Sequence, residues 1–351
     1  MPRRPSPIPP ALPRPVFTAS EARAVGVSTD RLRAQDIRRL AYGLYAVADV
    51  DLSERAVLTA ITRTDPDAVV SGFSAARLLG LPLPPWVAPP RPAAGGSTAP
   101  RAGYFLSAGA DSGPPRASTP SPTYVATAEP GAPVLHLTSQ STRRDHSFIR
   151  WRQQTLPAEQ IITVGDLRLT DRVRTWLDLG TELRREELVA IADHLVRRPR
   201  PWAENRSDPY ATPEQLAEAV EEHPGRGRPR LREALALSRV GADSAAETAV
   251  RLALGRAGIP EAELNREIVE NGVRLGEPDL SWPQWRVCLE YDGAHHRRRE
   301  QHRSDIRRRE QRERHGWIEV QAMADDLADG FRSTVRRLER ALREHGWSRD
   351  G

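Results

Sequence analysis

Residues 84–133 constrain most strongly what this chain can fold into. They are rich in Pro, Gly, Ser and Ala, with Pro89-Pro90-Arg91-Pro92 and Gly95-Gly96-Ser97 among them. Such a stretch carries too few apolar side chains to build a core of its own. Folded structure must therefore lie on either side of it. The 351 residues leave room for two or three domains. We read a disordered Pro/Arg-rich tail at 1–15, a first domain at 16–84 and a linker or insertion at 85–130. A small α+β domain at 131–200, a second linker at 201–230 and a C-terminal domain at 231–351 follow.

The 52 basic residues are all Arg, against 47 acidic ones, for a formal charge of +5. Arginine usage without lysine, beside abundant Ala and Pro, fits a GC-rich bacterial genome. A planar guanidinium binds phosphate in two-point fashion, so the excess suits a polyanionic partner. The lone cysteine, Cys288, excludes an internal disulfide and a multi-cysteine zinc site. No run approaches the roughly 18 apolar residues of a membrane span. The basic N-terminus lacks an apolar signal core. The sequence predicts a cytoplasmic protein with no membrane partner.

In the first domain, Thr18 and Glu21 have capping-box spacing for a helix that Gly26 ends. Ser28 predicts a second helix over 29–35, and 37–47 reads as two short strands around a turn. Helix, turn, helix and β-wing is the winged helix-turn-helix order, with Arg31, Arg33, Arg38 and Arg39 on the candidate DNA face. Small helix pairs with surface arginines also bind protein. Helices are predicted at 52–63 and 71–79. The stretches F-T-A-S-E-A-R-A-V-G-V, A-Y-G-L-Y-A-V and V-V-S-G-F-S-A-A-R-L-L-G-L-P resemble the N-terminal part of AbiEi-like proteins, type IV antitoxin-like regulators, over 16–84. L-T-D-R-V-R-T-W-L-D-L-G, from Leu169, resembles the second half of that arrangement.

The chemistry concentrates in 276–296, G-E-P-D-L-S-W-P-Q-W-R-V-C-L-E-Y-D-G-A-H-H. Val287-Cys288-Leu289 reads as a buried strand. Glu290 and Asp292 lie two apart and so share a face, and Asp279 meets them across a hairpin. Three converging carboxylates form a hard-oxygen site suited to Mg²⁺ or Mn²⁺. On spacing alone the same residues also read as a solvated, charged hairpin. Upstream, Ser244 and Glu247 have capping-box spacing at the start of a helix reaching about 256. Strands are predicted at 264–269, 273–279, 286–291 and 317–320, with Asn271-Gly272 as a type I′ turn. A long helix over 297–315, ended by Gly316, and a final helix over 331–344 complete the pattern.

The string E-P-D-L…V-C-L-E-Y-D-G-A-H-H, with D-I-R-R-R-E and H-G-W after it, resembles the DUF559 family over 242–347. That family is related to Vsr-like endonucleases within the PD-(D/E)xK nuclease superfamily. The resemblance implies a restriction-endonuclease-like core, α-β-β-β-α-β, inside an α+β multidomain chain. It implies Glu247, Asp279 and Glu290 as ligands of Mg²⁺ or Mn²⁺, and Asp279, Glu290, Asp292 and His296 as the catalytic set. His296 is favoured over His295 as general base, by family spacing. The superfamily's usual Lys, two residues after the motif glutamate, is replaced here by Asp292. No lysine exists elsewhere to take its place. Arg297, Arg298 and Arg303 are read as phosphate-tracking residues on the helix that follows, although charge runs are often only solvated faces. The sequence thus predicts a DNA-binding protein with a metal-dependent endonuclease. The alternative is an antitoxin-like or transcriptional regulator whose nuclease fold does not cut. A homodimer, or a protein partner of toxin–antitoxin or repair type, is compatible with either.

Overall fold

A computed structural model describes residues 6–13, 15–48, 50, 52–85, 87, 123–124, 134–143, 145, 148–200, 204–292 and 299–349; for 123–124 and 299–305 it describes the backbone. The protein is α+β, and it divides into two compact units, one built mainly from residues up to 179 and one mainly from 180 onward. Among the described residues no helix is long and apolar enough to cross a membrane.

The first unit begins with β1 (Val16–Thr18), α1 (Ala19–Ala24), β2 (Ile37–Ala41) and β3 (Leu44–Val47), the strands forming a sheet of order β1-β3-β2. Thr18 caps α1 through the predicted capping box: its hydroxyl accepts the Glu21 amide, and Glu21 accepts the Thr18 amide. Leu12, Phe17, Ala22, Val27, Leu32 and Ile37 form the core beneath. Leu12 lies in the expected disordered tail, yet it is buried, because an apolar side chain beside Phe17 has a core to enter.

The predicted helix at 29–35 is instead a single 3₁₀ turn, Arg31–Arg33. Two causes are visible. Leu32 is the sole buried residue of that turn, so no apolar stripe at helical spacing exists to bury. Arg31 also clamps Asp36 through two hydrogen bonds of 2.7 and 2.6 Å, and Ala34 is already extended toward β2.

The chain continues through β4 (Leu52–Ser53), α2 (Glu54–Thr64), β5 (Val69–Val70), α3 (Gly72–Leu78), β6 (Thr123–Tyr124), β7 (Leu135–Ser139), β8 (Ile149–Gln153), β9 (Ile161–Val164), β10 (Leu167–Thr170) and α4 (Arg172–Asp178). Five of these strands form a sheet of order β8-β7-β5-β10-β9. Its middle strand, β5, comes from the stretch expected as a separate domain at 16–84, and its neighbours come from 135–170. The two stretches therefore share one sheet. Glu54 and Arg77 pair inside this unit, with Ser74 donating to the same carboxylate at 2.6 Å.

The second unit opens with helices α5 (Arg185–Val196), α6 (Pro213–Glu222) and α7 (Arg228–Leu237). Next come α8 (Ala245–Arg256), β11 (Glu263–Leu264), β12 (Ile268–Glu270), β13 (Val273–Gly276), β14 (Leu280–Trp282), β15 (Val287–Asp292), α9 (Arg299–Arg314), β16 (Ile318–Met323) and α10 (Arg332–Glu344). The sheet order is β11-β14-β15-β16. β14 runs antiparallel to β15, β15 runs parallel to β16, and β12-β13 form a separate hairpin. Asn271 and Gly272 both have positive φ, as a type I′ turn requires. Two predicted strands are broken. Asn265, at φ 46°, divides 264–269, and Gly276, at φ 92°, divides 273–279. Left-handed backbone cannot continue a pleated ladder.

Side chains alternate along β15. Val287 and Leu289 enter the core that α8 and α10 cover, with Leu280, Trp282, Val250, Leu254, Leu338 and Leu342. Cys288 faces the other way, into a small cluster with Ile268, Leu275 and Trp317.

Candidate functional site

Register brings the first two acids together. Leu280 pairs Leu289 across β14 and β15, so Asp279 and Glu290 are the next positions outward on the two strands. Asp279 lies in the turn ahead of β14 and accepts the Tyr291 amide at 2.6 Å. Glu247 comes from the first turn of α8. Ser244 caps that helix and donates its hydroxyl to Glu247 at 2.8 Å, and the Asp243 amide donates at 2.8 Å. Asn265, held in the left-handed region, donates to Glu247 at 2.9 Å and to the Gly241 carbonyl at 2.6 Å. The break in the strand therefore supplies a ligand to the acid. Capping and membership of an acidic cluster are both properties of Glu247.

The three carboxyls repel one another in a poorly solvated place. Burial pushes Glu247 up to about 7, helped by the charge of Asp243 and opposed by its hydrogen bonds. Burial also raises Asp279 well above the carboxylate range, and the charges of Glu247 and Glu290 raise it further. Glu290 is raised by burial, against the pull of Arg312.

Arg312 is the residue that sequence reasoning missed. It lies on α9 with its side chain 1% exposed. Its Nη1 donates to Glu290 at 2.8 Å and to Glu319 at 2.7 Å, and its Nε donates to the Leu275 carbonyl at 2.9 Å. A second arginine closes the other flank. Arg200 donates to Asp243 at 2.6 Å, to Glu277 at 3.2 Å and to Asn265 at 3.2 Å. The sequence of α9 signalled only that some polar group would be buried, without singling out Arg312. α9 has a single aliphatic residue, Ile306, and it is exposed, so the helix had to bury something polar.

The donor chemistry suits a hard divalent cation: carboxylate oxygens, with one oxygen each of Asp279 and Glu290 carrying no hydrogen bond among the described residues. The positions are not yet those of a coordination sphere. Among the described residues no three His, Cys, Asp or Glu side chains stand close enough to share one ion. Hydrogen bonds hold the acids separately: Asp279 accepts from Tyr291 of β15, Glu290 from Arg312 of α9, and Glu247 from the α8 cap and Asn265. Asp292 ends β15, two residues beyond Glu290. His296, Arg297 and Arg298 lie outside the described residues, as does the side chain of Arg303.

The four N-terminal arginines divide into two pairs. Arg31 is 10% exposed and committed to Asp36, and Arg33 pairs with Asp30 at 3.3 Å. Arg38 and Arg39 stand on β2 and enter no ion pair among the described residues. Arg39 lies 5.8 Å from the ring of Tyr42, which is 92% exposed at the tip of the β2–β3 hairpin. Tyr42 was not singled out from the sequence. Of the four, Arg31 is withdrawn into its pair with Asp36, whereas Arg33, 77% exposed, and Arg39 on the hairpin stand in solvent. On α9, Arg307, Arg308, Arg309 and Arg314 are exposed.

Comparison with known proteins brings no match from family models, curated proteins or solved structures.

Proposed function

We propose that this chain binds DNA and carries, in its second unit, a metal-dependent endonuclease site for hydrolysing phosphodiester bonds. The observation that carries the proposal is Asp279, a buried carboxyl set beside the charges of Glu247 and Glu290. Collecting like charges where water is scarce is unfavourable, and a divalent cation reverses the sign of that interaction. The likeness of 242–347 to the DUF559 family supports a restriction-endonuclease-like reading of α8, the four-stranded sheet and α9. The likeness of 16–84 to AbiEi-like proteins supports a DNA-binding, winged-helix-type reading of the first unit, with its hairpin as the phosphate contact.

Glu247, Asp279 and Glu290 would hold Mg²⁺ or Mn²⁺. Such an ion supplies Lewis-acid stabilisation of the scissile phosphate and lowers the pKa of a bound water. The chain's own groups do the rest. Asp279 and Glu290 each present an oxygen without a hydrogen bond among the described residues. Asp292 extends the acidic edge of β15. His296 is assigned the proton, since a neutral imidazole acts as a base near pH 7. Arginines of the hairpin and of the stretch from Arg297 onward neutralise the DNA backbone.

One observation favours a second reading. Arg312 already gives Glu290 a cation, which would suit a regulator whose nuclease-like fold binds DNA without cutting it. Supercoiled plasmid incubated with the full chain and Mg²⁺ or Mn²⁺ separates the two. Nicking that requires the metal and stops in EDTA supports the endonuclease. Metal uptake and DNA binding without nicking support the regulator. Nicking that persists in EDTA overturns the metal-dependent mechanism.

A further inference from the structure

Arg312 is placed unlike an ordinary surface-helix arginine. Its Nη1 is shared between Glu290 and Glu319, both by charge-assisted hydrogen bonds. Its Nε is fixed by the Leu275 carbonyl, and its Nη2 is buried without a hydrogen-bond partner among the described residues. That nitrogen lies under Gly276, where an added Cβ would stand 3.2 Å from it. The guanidinium is therefore confined from above by the chain and held at one edge by two carboxylates. Glu290 is drawn toward α9, while Asp279 is held by the Tyr291 amide and Glu247 by the α8 cap.

We infer that Arg312 is a latch on Glu290, a positioning residue that competes with the divalent ion for the Glu290 carboxylate and so sets the metal affinity of the site. The inference rests on the metal-site reading above. Both cations draw on the same negative charge, so each weakens the hold of the other. Glu319 makes the exchange feasible. When Glu290 turns to the ion, Arg312 keeps a charged partner at 2.7 Å and is not left as a lone buried charge. The latch thus has two parts: Arg312 withdraws Glu290, and Glu319 allows its release.

Two substitutions shift the balance in opposite directions. Arg312→Lys keeps the charge but loses the rigid fork that reaches Glu290, Glu319 and the Leu275 carbonyl together. Mn²⁺ affinity should then tighten by roughly fivefold, the size of one net hydrogen bond. Glu319→Gln leaves Arg312 more dependent on Glu290, and Mn²⁺ affinity should weaken by a similar factor. In the Arg312→Lys background that weakening should shrink, because the shared guanidinium is gone; a simple field effect of Glu319 would persist there.

The experiment is calorimetric titration of the full chain with Mn²⁺, in wild type, both single variants and the double variant, with folding followed by circular dichroism. Tighter binding in Arg312→Lys, weaker binding in Glu319→Gln and a reduced effect in the double variant support the latch. Metal uptake by Arg312→Lys alone also supports it. Weaker or unchanged binding in a folded Arg312→Lys overturns the latch and leaves the metal site standing. An equal Glu319→Gln effect in both backgrounds does the same. If Arg312→Lys does not fold, Glu319→Gln carries the test, and unchanged affinity there overturns the latch. If no form takes up Mn²⁺, the metal site itself is wrong and the latch falls with it.

Discussion

Glu247 accepts hydrogen bonds at the cap of α8 and is buried beside like charge, and those surroundings pull its proton in opposite directions. Burial wins and holds the group near 7, against an ordinary value of 4.5. The folded chain therefore binds a proton on Glu247 that the unfolded chain has already released. Stability from this group is fully present below pH 4.5 and is lost as pH rises toward about 7. The loss is about 3 kcal/mol, spread over that window. Denaturant melts of the metal-free full chain from pH 4.5 to 8 should report that decline for the second unit. Adding Mg²⁺ should offset it at the upper end, by about 2.7 kcal/mol at a hundredfold excess over its Kd. A metal-free profile that rises over the same window would contradict the arrangement. Asp279→Asn removes one of the repelling charges while leaving an oxygen for the Tyr291 amide. It should stabilise the metal-free fold by about 1 to 2 kcal/mol, read in the same melts. At this scale the closeness of Asp279 and Glu290 was legible in the spacing of two adjacent strands, whereas Glu247 was singled out beside them by the resemblance to the DUF559 family. Arg312 was not, since one arginine in an arginine-rich helix has no mark in the sequence that sets it apart. Only the register of α9 against β13 and β16 selects it.

Capping and turn chemistry were legible at the level of the element. Thr18 with Glu21 and Asn271-Gly272 each formed the predicted structure, because a few adjacent residues settle those contacts. The second N-terminal helix was misread, because the Arg31–Asp36 clamp and the poverty of apolar positions act after the cap at Ser28. Strand lengths were misread for a related reason. Asn265 takes a left-handed conformation whose reward is its hydrogen bond to Glu247, which is a tertiary contact. The corrected elements shift the proposed DNA contact toward the hairpin. Arg38→Ala and Arg39→Ala should each weaken duplex binding about equally for all sequences and lower the salt slope by about 1. Arg31→Ala should instead destabilise the first unit by about 1 to 3 kcal/mol, measured by denaturant unfolding, since its guanidinium is 10% exposed and spent on Asp36. Loss of DNA affinity in a fully stable Arg31→Ala, with Arg38→Ala and Arg39→Ala unaffected, would return the contact to the 31–33 turn.

Across the whole molecule, basic groups occur on the β2–β3 hairpin of one unit and on α9 of the other. A chain that used about four phosphate contacts would lose roughly a hundredfold in duplex affinity between about 50 and 200 mM salt. Filter binding across that range checks it, and a flat salt response would exclude a phosphate-led interface. The division into units does not fall at the Pro/Gly-rich stretch, since described residues on both sides of it, up to 179, belong to the first unit. The shared sheet was not legible, because β5 is two residues long and its partners lie far along the chain. The central claim remains that Asp279, between Glu247 and Glu290, helps hold a divalent ion. Its most direct test is the Mn²⁺ affinity of the full chain, by calorimetry, in wild type and in Asp279→Asn. The account predicts uptake by the wild type and a loss of roughly a hundredfold, about 2.7 kcal/mol, in the variant. Equal affinities in two folded proteins that take up the ion, or no uptake by either the folded wild type or the Arg312→Lys variant, would contradict it.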